Sequence, residues 1–237
     1  MGSREGAATV GPETGFDALA QAVLTLEPGE RCARDSGEAE ETVFVVAGQG
    51  ELEAAGERHS LEPESGAYVP PGTRYELAAS GSEALRAICV RVPDPASEAA
   101  GGRVTVRRLA EQEAQAATTE REFRIVCDPD SGLCSATHFV GYIPTARAPE
   151  HFHTYDEVIY VLDGEGVFHA GDYHERLAPG SCIQLPARTV HCLENTGPGT
   201  MRVVAVFRPA GSPAAAYYPD GTPAHPGIPP VTTDVAP

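Results

Sequence analysis

A repeat at one fixed spacing limits the folds open to this chain more than any other feature. Adding 116 to the residue number carries Pro28 onto Pro144, Glu41 onto Glu157, Gly48 onto Gly164, Gly50 onto Gly166, Leu61 onto Leu177, Pro63 onto Pro179, Pro70 onto Pro186, Arg86 onto Arg202 and Pro93 onto Pro209. The matched positions are mostly turn formers. Between them lie short runs, apolar or alternating, of the kind that make strands. A constant offset with no insertion or deletion reads as duplication of one supersecondary unit. The 237 residues then divide into two β units of about a hundred residues each, a usual domain size.

On this reading residues 16–95 form the first unit, 96–122 a linker and connecting strand, 123–210 the second unit, and 211–237 a proline-rich tail unsuited to the middle of a sheet. Residues 1–15 are small and polar and read as frayed. In the linker, RVTVRRL alternates like a strand, and AEQEAQAATTERE fits a short surface helix or an irregular connection equally well. EFRIVC and LCSATHFVGYI read as strands around the turn DPDSG.

The second unit carries the chemistry. His151 and His153 stand two residues apart, so on an extended segment both imidazoles project from one face, and Glu157 follows at the head of EVIYVL. His191 lies on TVHCLE, which LPARTV joins to SCIQL as the far arm of an expected hairpin, and closing a barrel would bring it beside the others. Three imidazoles and one carboxylate make a mixed nitrogen and oxygen set for a divalent first-row metal. Four such ligands leave room on an octahedral ion for water, substrate or O2.

The spacing His-x-His-x3-Glu-x6-Gly from His151 to Gly164, and Gly-x5-Pro-x4-His-x3-Asn from Gly180 through Pro186 and His191 to Asn195, resembles the two motifs of the cupin superfamily. Thr145 and Arg188 stand where that pattern usually has glycine. Both fall on loops and are expected to weaken turn geometry while leaving the ligands whole. The resemblance implies an all-β chain of two cupin barrels of the jelly-roll type with few short helical segments, a bicupin. It also implies one divalent metal in the second barrel on His151, His153, Glu157 and His191, with Fe or Mn first and Ni, Co, Cu or Zn also compatible. In the first copy Asp35, Gly37 and Tyr75 stand at the positions of His151, His153 and His191, leaving Glu41 alone. That barrel is expected to be metal-free, with Asp35 and Glu41 as a weak cation pair the lesser alternative, and Glu41→Gln is expected to alter stability little.

The repeat also suggests what surrounds the metal. Leu24 and Leu26 share a face; shifted by 116, that face carries His138, Val140 and Tyr142, making His138 a candidate acid/base and Tyr142 a candidate hydrogen-bond donor. Satisfying a local carbonyl is the plainer role for His138. Counting across LPARTV pairs Gln184 with His191 and turns it inward, to orient substrate or anchor the imidazole. Ile159 and Val161 follow Glu157 at period two and should wall the pocket with apolar surface.

One cupin site serves oxygenases, isomerases, decarboxylases and pure binding proteins. The leading expectation is a metal-dependent, dioxygenase-type oxidoreductase acting on a small enolate, diketone or phenolic substrate. A metal-dependent non-redox bicupin enzyme is the alternative, an isomerase, lyase or ureidoglycine aminohydrolase-like protein, although the motif of the last differs from HFHTYDE. A non-enzymatic small-molecule binding bicupin is the third reading.

Composition removes several classes. The formal charge is −17 and all 17 basic residues are arginine. Without lysine there is no Schiff base, no pyridoxal phosphate attachment and no P-loop. So acidic a surface repels phosphate backbones and anionic lipid, so the expected partner is a small-molecule substrate, with no nucleic acid and no membrane. Six cysteines without a C-x-x-C pair read as free thiols, Cys127 and Cys134 being the one pair that a turn could bring together. MGSREGAATVGPETG does not read as a cationic and apolar leader, so a cytoplasmic protein is expected; the internal duplication fits a monomer, and an exposed strand edge a homodimer.

Overall fold

The computed structural model of the chain describes residues 6–99 and 102–231. The first half contains β1 (Ala7–Val10), β2 (Ala20–Leu26), β3 (Arg31–Asp35), β4 (Glu40–Ala47), β5 (Gly50–Ala54), β6 (Glu57–Leu61), β7 (Ser65–Val69), β8 (Arg74–Ala79) and β9 (Leu85–Val92). The connection supplies β10 (Thr105–Arg108) and β11 (Gln115–Ala116). The second half contains β12 (Glu122–Cys127), β13 (Thr137–Ile143), β14 (Asp156–Asp163), β15 (Gly166–Ala170), β16 (Tyr173–Leu177), β17 (Cys182–Leu185), β18 (Cys192–Asn195) and β19 (Met201–Arg208). Among the described residues the only helices are three-residue 3-10 turns, and none is long and apolar enough to cross a membrane.

Each half is a pair of antiparallel sheets. In the first, β1-β2-β9-β4-β7-β10 faces β3-β8-β5-β6; in the second, β11-β12-β13-β19-β14-β17 faces β16-β15-β18. Each half encloses its own apolar core, and a third core, with Phe44, Tyr68, Val140, Tyr160 and Val206, lies between the halves. The two six-stranded sheets therefore bury both faces, one inside the barrel and one at the seam. That explains the unbroken apolar runs TVFVV and EVIYVL, where a sheet wet on one side would alternate. Gly48 and Gly164 hold equivalent turns at φ 75° and 85°, and a Cβ at Gly48 would lie 2.2 Å from the Ala84 carbonyl oxygen. Only glycine fits that conformation and that approach.

Several expectations need correction. The N-terminal segment is not frayed throughout: β1 pairs with β2, followed by a turn at Pro12–Thr14. SCIQL and TVHCLE do not form a hairpin, because β17 pairs with β14 and β18 with β15, so LPARTV crosses between sheets. The repeat is not free of insertions either. Leu24 opposes Ala87, but Val203, 116 residues beyond Ala87, opposes Gly141 rather than Val140. β13 is thus set one residue further along than the constant spacing implies. Since side chains alternate faces, that slip turns inward the residues expected to point out. A compensating slip follows: Arg34 opposes Tyr75 as His151 opposes His191, while Gly37 accepts from the Gly72 N–H as His153 accepts from the Arg188 N–H. Arg34, not Asp35, therefore takes the place of His151.

Candidate metal centre

His151, His153 and His191 come together in the second barrel. His151 and His191 form a two-way backbone bridge, each N–H donating to the other's carbonyl at 3.0 and 2.8 Å. Arg188, at φ 65°, a conformation that favours glycine, sends its N–H to the His153 carbonyl at 2.7 Å. The three imidazoles each place one nitrogen within 4.8 Å of the others.

Their side chains are held alike. Nδ1 of His151 lies 2.9 Å from the Pro149 carbonyl oxygen, Nδ1 of His153 2.9 Å from that of Ala215, and Nδ1 of His191 2.9 Å from that of Thr189. A carbonyl only accepts, so each Nδ1 carries the proton and each Nε2 keeps a lone pair, the tautomer that metal ligation requires. Burial, reinforced for His153 and His191 by the neighbouring imidazoles, holds all three rings neutral, with His191 pushed down to about 3. Donor type, tautomer and spacing together suit a first-row divalent ion.

Glu157 lines the same cavity and is 4% exposed, but its carboxylate stands outside the 4.8 Å group of imidazoles. Burial pushes its carboxyl up to about 8. Its cross-strand neighbour is Phe207, on which Tyr155 stacks at 3.8 Å; Tyr155 stacks in turn on His153 at 4.6 Å. The cavity, of about 80 Å³, is walled by Phe123, Phe139, Ile143, Ile159, Leu193 and Val203. Val161 belongs to the same core.

The other candidates lie elsewhere or only partly here. His138 is on the far face of β13, edge-on to Phe44 at 5.8 Å in the seam; its Nδ1 is buried without a partner, so the local-carbonyl role is also absent. Gln184 opposes Val158 and turns to the seam, where its side chain clasps Thr14 at 2.7 and 3.3 Å. Tyr142 contributes to the cavity lining while packing against the seam core. Asn195 is a clamp, donating to the Ile143 and Gly199 carbonyls and accepting from the Gly197 N–H.

Sequence reasoning missed three features of this site. Tyr155 was findable, since His-x-Tyr places two rings on one face. Arg121 and the tail residues Pro213, Ala215 and Ala216 lie outside the motif spacing; the tail packs through a bridge between Phe152 and Tyr217, whose rings stack at 5.6 Å.

At the equivalent place in the first barrel the carboxylate is already satisfied by the chain. Glu41 receives the Tyr75 hydroxyl and the Arg91 guanidinium, and Arg34 lies 3.5 Å from it while donating to Tyr75 at 2.7 Å. Asp35 is outside the network, exposed and paired with Arg74. All six cysteines are free, Cys127 and Cys134 included.

The cupin domain family matches the chain twice, over residues 22–91 and 138–207. Among solved structures, the chain is similar to the protein Ylba from E. coli at 14% identity and a TM-score of 0.73, over 85% of this chain and 81% of that one. It is similar to a putative glyoxylate induced protein from Pseudomonas aeruginosa at 19% and 0.68, over 80% and 74%, and to a mutant of Bacillus subtilis oxalate decarboxylase at 14% and 0.70, over 92% and 76%. At these identities the likeness is one of fold. No curated protein matches the sequence.

Proposed function

Since the chain belongs to the cupin family through both of its halves, we propose that this bicupin is a metal-dependent oxygenase acting on a small enolate, diketone or phenolic substrate. Its second barrel would hold one divalent metal on His151, His153 and His191, completed by Glu157. The observation that supports this reading is the common tautomer: three neutral imidazoles, each with Nδ1 tied to a carbonyl, leave their Nε2 lone pairs free in one small cavity. A divalent ion bound there supplies Lewis acidity and open positions for a chelating substrate and O2. Mn and Fe come first; the similar oxalate decarboxylase of Bacillus subtilis has Mn(II) centres.

The chain's own residues do the remainder. Carbonyls of Pro149, Thr189 and Ala215 orient the ligands. Phe139, Ile159 and Leu193 keep water from the reacting atoms, which strengthens every charge interaction inside. A cavity of about 80 Å³ favours substrates of a few heavy atoms over flavonol-sized ones.

The test is oxygen consumption by Fe(II)- and Mn(II)-loaded protein offered small diketones, enolisable acids and catechols. Consumption is expected only with metal and O2 together. Full turnover under argon would replace the oxygenase by a non-redox enzyme, and silence with every substrate, ureides and keto sugars included, would leave a binding protein.

A further inference from the structure

The cavity beside the three imidazoles contains a cation that no carboxylate among the described residues pairs with. Arg121, on the connection just before β12, lines it together with His151, His153 and His191. It is half-buried, and its Nη2 donates to the Leu193 carbonyl at 2.5 Å. No carboxylate of the described residues comes within the 4.0 Å of an ion pair. Glu122, next in the chain, is exposed and does not pair with it.

The other arginines drawn into the protein are served more fully. Arg34 and Arg91 share Glu41. Arg202 takes Glu64 and Asp163. Arg124 and Arg208 each reach three backbone carbonyls. Arg121 has one. Burial lowers its proton affinity, and its charge helps to hold the three imidazoles neutral, so its field reaches the ligand atoms. Withdrawing a guanidinium from water is costly unless an anion meets it, and a planar fork of N–H donors matches a carboxylate in two parallel bonds.

We propose that Arg121 is the anion anchor of this cavity and that the substrate is a small carboxylate, its carboxylate on the Arg121 guanidinium and its other end toward the Nε2 atoms of His151, His153 and His191. This rests on the metal reading for the second point of attachment only. A cavity of about 80 Å³ favours a small acid. The enolate or diketone expected from the ligand set becomes an enolisable or hydroxy acid.

The experiment titrates full-length protein with glycolate, a small chelating carboxylate, and with glycolamide, its neutral counterpart. Calorimetry follows both, with the Mn(II) electron paramagnetic resonance line shape as a second readout, and metal-loaded and metal-free protein are run in parallel. Glycolate is expected to bind wild type and to bind Arg121→Gln at least tenfold more weakly, with metal content and melting temperature unchanged. Arg121→Lys should fall between, since it keeps the charge without the fork; should the glutamine variant not fold, the lysine variant decides. Glycolamide should not distinguish the variants. Equal glycolate affinity in wild type and variant overturns the proposal, as does no glycolate binding to wild type. Failure of the wild type to take up metal would overturn the metal reading instead, and the Arg121 dependence in metal-free protein would still decide this one.

Discussion

Glu41 and Glu157 occupy the same register in two copies of one barrel, each opposite the last long strand of its sheet, and the two copies treat the same buried carboxylate in opposite ways. Across from Glu41 stands Arg91; across from Glu157 stands Phe207. Arg34 and Tyr75 complete the first network where His151 and His191 face each other in the second. The first copy has built its cation from the chain, and its guanidinium groups satisfy the carboxylate permanently. In the second, burial pushes Glu157 up to about 8, and among the described residues no guanidinium pairs with it. The same carboxylate position is thus tied into an ion network in the first half and left beside three imidazoles in the second, where the role proposed for it is ligation.

The largest effect that can break this comparison is on metal content. One tightly held transition metal per chain is expected, all of it in the second barrel. His191→Ala or His151→Ala should reduce it to near zero by elemental analysis while the far-ultraviolet spectrum stays that of a folded β protein, because apolar walls supply most of the core. Glu157→Gln should loosen the ion by removing the only anionic ligand. Two metals per chain, or metal lost on changing Glu41, would show the halves to be functionally alike.

Next in size is the stability of the first barrel. The sequence alone implies that Glu41→Gln costs little, but Glu41 is 1% exposed and compensates two guanidinium groups. Removing one partner of a buried ion pair leaves the others uncompensated, at about 3–5 kcal/mol. The lower end applies here because the Arg91 side chain is 41% exposed. Urea unfolding should register about 3 kcal/mol; a loss below about 0.5 kcal/mol, the range of an ordinary surface substitution, would mean the network does not hold the barrel together.

The tail gives a third contrast, since Gly37, which holds the place of His153, has no imidazole for such a segment to orient. Deleting the chain after Gly211 removes the Ala215 carbonyl from His153 and opens the cavity at Ala216. Outer partners of metal ligands are worth about 10–100-fold in affinity, and a loss in that range is expected from competition with a chelator. Unchanged affinity would make the tail packing alone.

How much of this was legible in the sequence depends on what kind of group carried the signal. Turn prolines and glycines and the His-x-His-x3-Glu spacing belong to side chains with few substitutes, and they located the two units and the three imidazoles. The face of β13 was misread because two slips cancel: an added residue before His151 is offset by the two-residue step to His153 where Arg34 to Gly37 takes three. A count of 116 on either side cannot reveal this, yet with period two a single slip exchanges His138 for Phe139. Ala215 acts through its backbone, which any residue provides, and Arg121 depends on a long-range approach that local patterning does not encode.

The same slip yields the smallest of the expected effects. In corrected register His138 corresponds to Gln21, since Gln21 opposes Val90 and His138 opposes Val206; both side chains are buried. Gln21 is uncharged at every pH and donates to Thr9 at 3.1 Å, whereas burial pushes His138 down to about 3 from an ordinary 6.5. The unfolded chain therefore takes up the proton first as pH falls. The stability that depends on a neutral His138 is intact above about pH 6.5 and is lost progressively between 6.5 and 3, because the unfolded state binds more protons throughout that window. From pH 7 to 5.5 the loss is about 1 kcal/mol at 1.36 kcal/mol per unit. His151, His153 and His191 are also held low and slope the same way, so the informative quantity is the difference between wild type and His138→Gln, the residue the first half uses. The variant should unfold less steeply with acid even if its stability at pH 7 is lower. Parallel acid limbs for the two proteins would mean that water reaches His138 at the seam and that the two halves are less tightly joined than their shared core implies.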